Sequence, residues 1–221
     1  LGKCRFDGKA VFKACTNGSS EFMSNISMSL VGMLYNIQLL KYAGENGVAA
    51  YGVMMYVSMI FAAAFVGYSI GTAPIIGYHD GAGNHEELKG LLKKSLIMIG
   101  AFGAVMVVSG ELLAMPLARL FTGYDPALTE LTVSGFRVFA LSFICMGYAI
   151  YGSSFFTALN DGVTSAIISF LRTLVFQIAA VMLLPLVWGI DGVWVSIVVA
   201  EFMAMALSFL FMAIKRKKYH Y

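Results

Sequence analysis

Charged and turn-forming residues punctuate the chain at intervals that leave six predominantly apolar stretches, approximately Cys15–Leu40, Val48–Gly77, Leu91–Leu113, Val133–Phe156, Val163–Val187 and Val193–Ile214. Each is of the length, about 20 residues, that a helix needs to cross a bilayer. The separators are Lys41–Gly47, the polar run His79–Lys94, Arg119–Glu130 with Gly123 and Pro126, Asn160–Gly162 and Gly189–Gly192, and every one contains glycine. Runs such as Val-Met-Val-Val and Ile-Val-Val-Ala lack the strict alternation that a membrane β-barrel requires. The pattern predicts an all-α integral membrane protein with six transmembrane helices.

Composition strengthens this reading. Of 221 residues 59% are hydrophobic and 12% charged, with a mean hydropathy of +0.80; soluble domains carry about 25% charged residues. So much apolar surface does not fit inside one soluble core. Cys4, Cys15 and Cys145 are scattered, without C-x-x-C spacing or a nearby histidine, and imply neither a disulfide framework nor a metal site. The opening Leu1–Asp7 is charged and is not a signal peptide, and the chain is expected to be a fragment of a longer one.

Basic residues orient the bundle. With six crossings both ends share a side, and that side carries Lys3, Arg5, Lys9, Lys13, Lys89, Lys93, Lys94 and Lys215–Lys218, against Lys41 and Arg119 opposite. Lysine and arginine in short loops stay cytoplasmic, so both termini are expected there in a multi-pass plasma-membrane protein. Residues 1–14 read as a cytoplasmic linker, 15–214 as the transmembrane unit and 215–221 as a basic cytoplasmic tail. The net charge of +3 calls for no nucleic-acid partner, since the tail suits anionic lipid head groups.

Polar residues inside the spans are the candidate chemistry, because a charge at mid-membrane costs about 2.5–3.5 kcal/mol and faces a cavity or a partner. Arg172 lies about 15 Å beyond the Asp161–Gly162 turn and Glu201 about 20 Å from Ile214, so the two are expected to pair across the fifth and sixth spans. Such a pair specifies packing or takes part in gating. Arg137 and Glu111 lie nearer the ends, and Arg137 can snorkel. In the first span Glu21, Asn25, Met28, Gly32, Tyr35 and Asn36 share one helical stripe opposite Ile26, Leu30 and Ile37. That stripe either lines a water-filled path or binding cavity or glues helices by hydrogen bonds. In the long second span Gly67 and Gly71 form a GxxxG suited to helix packing, and Pro74 frees a carbonyl. Hydrolase, nucleotide and metalloprotease motifs are missing, so no enzyme is expected.

The stretch Gly71–Asn84, with Pro74, Tyr78, Gly81 and Ala82 in a Pro-x-x-x-Tyr-x-x-Gly-Ala pattern, resembles the loop after the eighth helix of MATE (multidrug and toxic compound extrusion) transporters. Val48-Ala-Ala-Tyr-Gly52, Leu171-Arg172 and Gly189-Ile-Asp-Gly-Val-Trp194 resemble the same family in the same order. The resemblance covers nearly the whole chain and implies the C-terminal six-helix lobe of a twelve-helix transporter, whose partner is an N-terminal six-helix lobe. It further implies an antiporter, coupled to protons or sodium and without other cofactors, that exports amphipathic, often cationic compounds by alternating access. Glu21 falls where many members carry an acid in their seventh helix, and Asn25, Tyr35 and Asn36 share its stripe. Ala73 stands where the family commonly has Gln, and the fourth span lacks the carboxylate some members use, which argues against a sodium site wholly inside this lobe. The alternative is a related lipid-linked oligosaccharide flippase, expected to show more deep Arg and Lys than Arg172. A membrane-embedded enzyme or packing subunit is the rival from another class.

Overall fold

The computed structural model describes residues 8–221, apart from the side chains of Ala10, Asn17, Ser20, Glu21, Met23 and Ser24. The described residues are helical throughout except at short turns. The helix Gly8–Gly81 is interrupted at Gly44, whose φ of 63° and ψ of −154° lie in a region open essentially only to glycine. Two helices result, α1 (8–43) and α2 (45–81). Tyr35 and Tyr51 stack with ring centroids 5.3 Å apart, whereas sixteen residues of straight helix would separate them by about 24 Å. The chain therefore reverses at Gly44.

The same device operates later. α3 is His85–Thr122, and α4 comprises Pro126–Ala140 and Ser142–Ala158, inclined to each other by 45°. At that bend the Ser142 hydroxyl donates to the Phe139 carbonyl at 2.7 Å and the Leu141 N–H to Val138, competing with the regular ladder. α5 (162–188) begins after Asp161, which caps it through Thr164 N–H, and contains a π-helical turn at Leu171–Phe176. Gly189, at φ 59° and ψ −130°, breaks the helix Pro185–Tyr219 and starts α6 (190–219). A Cβ on Gly192 would collide with the Leu184 carbonyl, so a side chain there would push α5 and α6 apart.

The described residues thus form six antiparallel helices. Asn46 and Asp125 meet at 3.5 Å across the α1–α2 and α3–α4 turns at one end of the bundle. His85 and His220 lie 5.0 Å apart, and Lys215 is 3.2 Å from Asp161, at the other. The helices extend beyond the apolar windows read from sequence: α3 starts at His85 and α4 at Pro126, capped by Asp125. Asn84 caps α3 and Glu86 and Glu87 suit its first turn, polar residues that favour a helix start yet read as loop by hydropathy, which therefore underestimates helix length there. Lys41–Gly47 is likewise helix apart from Gly44, and the 1–14 and 215–221 segments are helical from Gly8 and through Tyr219. Lys3, Cys4 and Arg5 lie outside the described residues.

Two apolar clusters fill the interior, one around Tyr35, Met54, Phe136, Phe143 and Trp194, the other around Phe65, Tyr151, Phe155 and Phe156 toward the tail. The outside is as apolar as the inside: Leu112 is 72% and Val187 74% exposed. That is the surface of a multi-pass membrane protein, solvated by lipid.

Candidate functional site in the bundle core

The deepest polar feature joins α1, α5 and α6. Arg172 sits in the π-helical turn of α5, where an extra residue per turn re-aims side chains. Its Nε lies 2.9 Å from Glu201 Oε2 and its Nη2 3.1 Å from Oε1, a two-pronged contact. The Glu201 side chain is 5% exposed and that of Arg172 17%. Gln177, also on α5, reaches Oε1 of the same carboxylate with its amide at 3.5 Å. From the other direction the Tyr35 hydroxyl donates to Gln177 Oε1 at 2.8 Å and lies 3.0 Å from Ser196 Oγ. Tyr51 stacks on the Tyr35 ring. The result is a buried chain of contacts, Tyr51, Tyr35, Gln177, Glu201, Arg172, that ties four helices together.

The arrangement holds a neutralised charge pair. Both carboxylate oxygens of Glu201 already accept donors, and the two groups that face them, the Arg172 guanidinium and the Gln177 amide, both stand on α5, with Gln177 held in turn by Tyr35 of α1. Sliding α6 against α5 would break this charge-assisted contact in a poor solvent, which couples the two helices.

The first-span stripe is divided by the fold. Tyr35 is buried, 1% exposed, in the lobe's core, whereas Asn25, Met28 and Asn36 are on its outer surface beside Ile26, Leu30 and Ile37. The stripe is about 100° wide, and the edge of the helix–helix contact runs through it. The Glu21 side chain lies outside the described residues. Gly67 and Gly71 have nothing within 4 Å of a would-be Cβ, so the GxxxG brings no helix into close contact among the described residues; Pro74 is exposed. Gln177, Ser196 and Tyr51 were not singled out by sequence reasoning. An amide five residues after a deep arginine in an apolar span was the available signal for Gln177.

A second cluster closes the opposite end from Gly44. Asp161 Oδ2 accepts from the Tyr219 hydroxyl at 2.8 Å and from Lys215 Nζ at 3.2 Å, while Oδ1 caps α5 through Thr164 N–H. Burial alone pushes the Asp161 carboxyl up, but the bonds from Tyr219, Thr164 and Lys215 outweigh it and hold the group below its ordinary range. Burial and the neighbouring carboxylate push the Tyr219 phenol up. Glu111 and Arg137 pair at 3.6 Å with both side chains largely exposed.

The MatE family model matches residues 22–183, almost all of the first five helices. The chain belongs to the MatE family. A relative, the "Probable multidrug resistance protein NorM" of Thermotoga maritima, is 25% identical over 185 residues, which are 81% of this chain and 39% of that protein. Among solved structures, a MATE protein in the bent conformation superposes with a TM-score of 0.90 at 22% identity, over 99% of this chain and 48% of its own. An outward-facing multidrug resistance MATE family transporter of the MOP superfamily gives 0.89 at 22%, over 100% and 50%. The MatE chain thus spans about two fifths of that relative and half of the solved transporters. Its fold is one lobe of a MATE transporter.

Proposed function

We propose that this chain is one six-helix lobe of a cation-coupled exporter, which with a second six-helix lobe extrudes amphipathic, often cationic compounds by alternating access in exchange for protons or sodium. The observation that carries this reading is the match of nearly the whole chain to half of a MATE transporter. The outer surface of α1 adds to it. Asn25 and Asn36 are exposed there, and amides at membrane depth favour a water-filled path over lipid. Glu201 is engaged by Arg172, which leaves Glu21, about one turn from Asn25, as the acid of α1 for a coupling ion or a cationic substrate. The lobe sits in the plasma membrane with both ends cytoplasmic.

The test is transport. The lobe, joined to its N-terminal partner in proteoliposomes, is expected to drive ethidium movement with a proton or sodium gradient, and Glu21→Gln to fold but lose the gradient-driven component. Gradient-independent movement, or wild-type rates in Glu21→Gln, would overturn the coupling role. Movement of a lipid-linked oligosaccharide in place of ethidium would point to the flippase.

A further inference from the structure

At the tail end of the bundle, between the start of α3 and the end of α6, lies a groove of about 400 Å³. Lys89 and Lys93 of α3 and Arg216 of α6 converge on it, and its floor is Leu96, Ile97 and Phe209. Among the described residues no Asp or Glu side chain lines it. Lys89 and Lys93 stand four residues apart on one helical face, where like charges destabilise. Among the described residues neither has a carboxylate within 4 Å, although Lys215 and Lys218 on the same end share Asp161. Arg216 donates through Nε to the Tyr221 carbonyl at 3.2 Å, which fixes the guanidinium and leaves its remaining N–H donors for another acceptor.

We propose that this groove binds an anionic phospholipid of the adjoining leaflet, its phosphate among Lys89, Lys93 and Arg216 and an acyl chain along Leu96, Ile97 and Phe209. Three cations that converge with no Asp or Glu side chain beside them among the described residues favour an anion. An apolar floor exposed to the membrane, with Ile97 61% and Phe209 38% exposed, suits the chain attached to one. Basic pockets between membrane helices hold lipid head groups on this principle. The contrast lies at the other end, where a groove of about 1010 Å³ sets Glu130 beside Arg119 and Arg137. The inference needs the chain to span a membrane and does not depend on what it transports.

Native mass spectrometry of the purified protein, offered equal phosphatidylglycerol and phosphatidylcholine of the same chain length, tests it. Phosphatidylglycerol is expected to be retained preferentially. Lys89→Gln with Lys93→Gln should reduce that preference by about 25-fold, near fivefold per charge. Lys94→Gln with Lys217→Gln, which makes the same change in net charge outside the groove, should leave it intact. Lys89→Arg with Lys93→Arg should retain it, separating loss of charge from loss of fold. Equal retention of the two lipids, equal loss in both glutamine pairs, or displacement by millimolar inorganic phosphate would overturn the proposal.

Discussion

Arg172 meets Glu201 with two nitrogens on two oxygens, at 2.9 and 3.1 Å, across the π-helical turn of α5 and the middle of α6. Breaking such a pair from one side strands a buried charge, at about 3–5 kcal/mol, whereas replacing both partners with apolar or neutral groups is far less costly. Arg172→Met and Glu201→Gln are therefore each expected to lower thermal stability in detergent sharply, and the double variant to recover much of the loss. Strict additivity in that double-mutant cycle would show the two residues to be energetically independent.

Tyr35 occupies the node between that pair and α1. Tyr35→Phe keeps the ring stacked on Tyr51 but strips Gln177 Oε1 of its donor at 2.8 Å, leaving a buried acceptor unsatisfied at about 1–3 kcal/mol. Tyr51→Phe keeps the same stack and strips no buried acceptor of its donor, so it should lower stability less than Tyr35→Phe does. Thermal unfolding of the two variants side by side checks this, and equal losses would assign the effect to the rings.

Much of this lobe is legible in the sequence because a membrane forces the issue: apolar runs of fixed length, glycine between them, and a lone deep arginine in need of a carboxylate. What hydropathy misses is geometry at single residues. Lys41–Gly47 reads as a loop, yet the reversal is concentrated in Gly44, because one positive-φ residue suffices to turn two helices back on each other. The π-helical turn at Leu171–Phe176 leaves no mark in a periodicity of 3.6, since one extra residue shifts the pattern without interrupting it. The stripe containing Tyr35 and Asn36 shows a polar face but not the line at which a neighbouring helix covers it.

The two turns that meet through Asn46 and Asp125 share one end of the bundle, opposite Lys89, Lys93 and Lys215–Lys218. Since basic residues are retained in the cytoplasm, a cysteine at Asn46 is expected to react with an impermeant maleimide in intact cells and one at Lys217 only after permeabilisation. Cys4 and the exposed Cys15 must be replaced first, whereas Cys145 is buried. The reverse labelling pattern would invert the orientation.

The tail end should come apart in acid. Asp161 is held below its ordinary range by bonds from Tyr219, Thr164 and Lys215 that outweigh its burial, so these contacts favour the ionised carboxylate. A carboxyl whose pKa is lower folded than unfolded contributes stability that is fully present above the unfolded value, about 4, and is lost as pH falls through the folded one. Asp161→Ala removes this contribution together with the cap of α5, the cap alone being worth about 0.5–2 kcal/mol. At neutral pH the variant should therefore unfold at lower temperature and expose the Lys215–Lys218 segment to trypsin. As pH falls through the lowered folded value, below about 4, the difference from wild type should shrink toward the loss of the cap alone, because the wild-type carboxyl is then protonated too. A difference between wild type and Asp161→Ala that stayed constant from neutral pH to below that range would mean that the ionised state of Asp161 does not hold the tail to the α4–α5 turn.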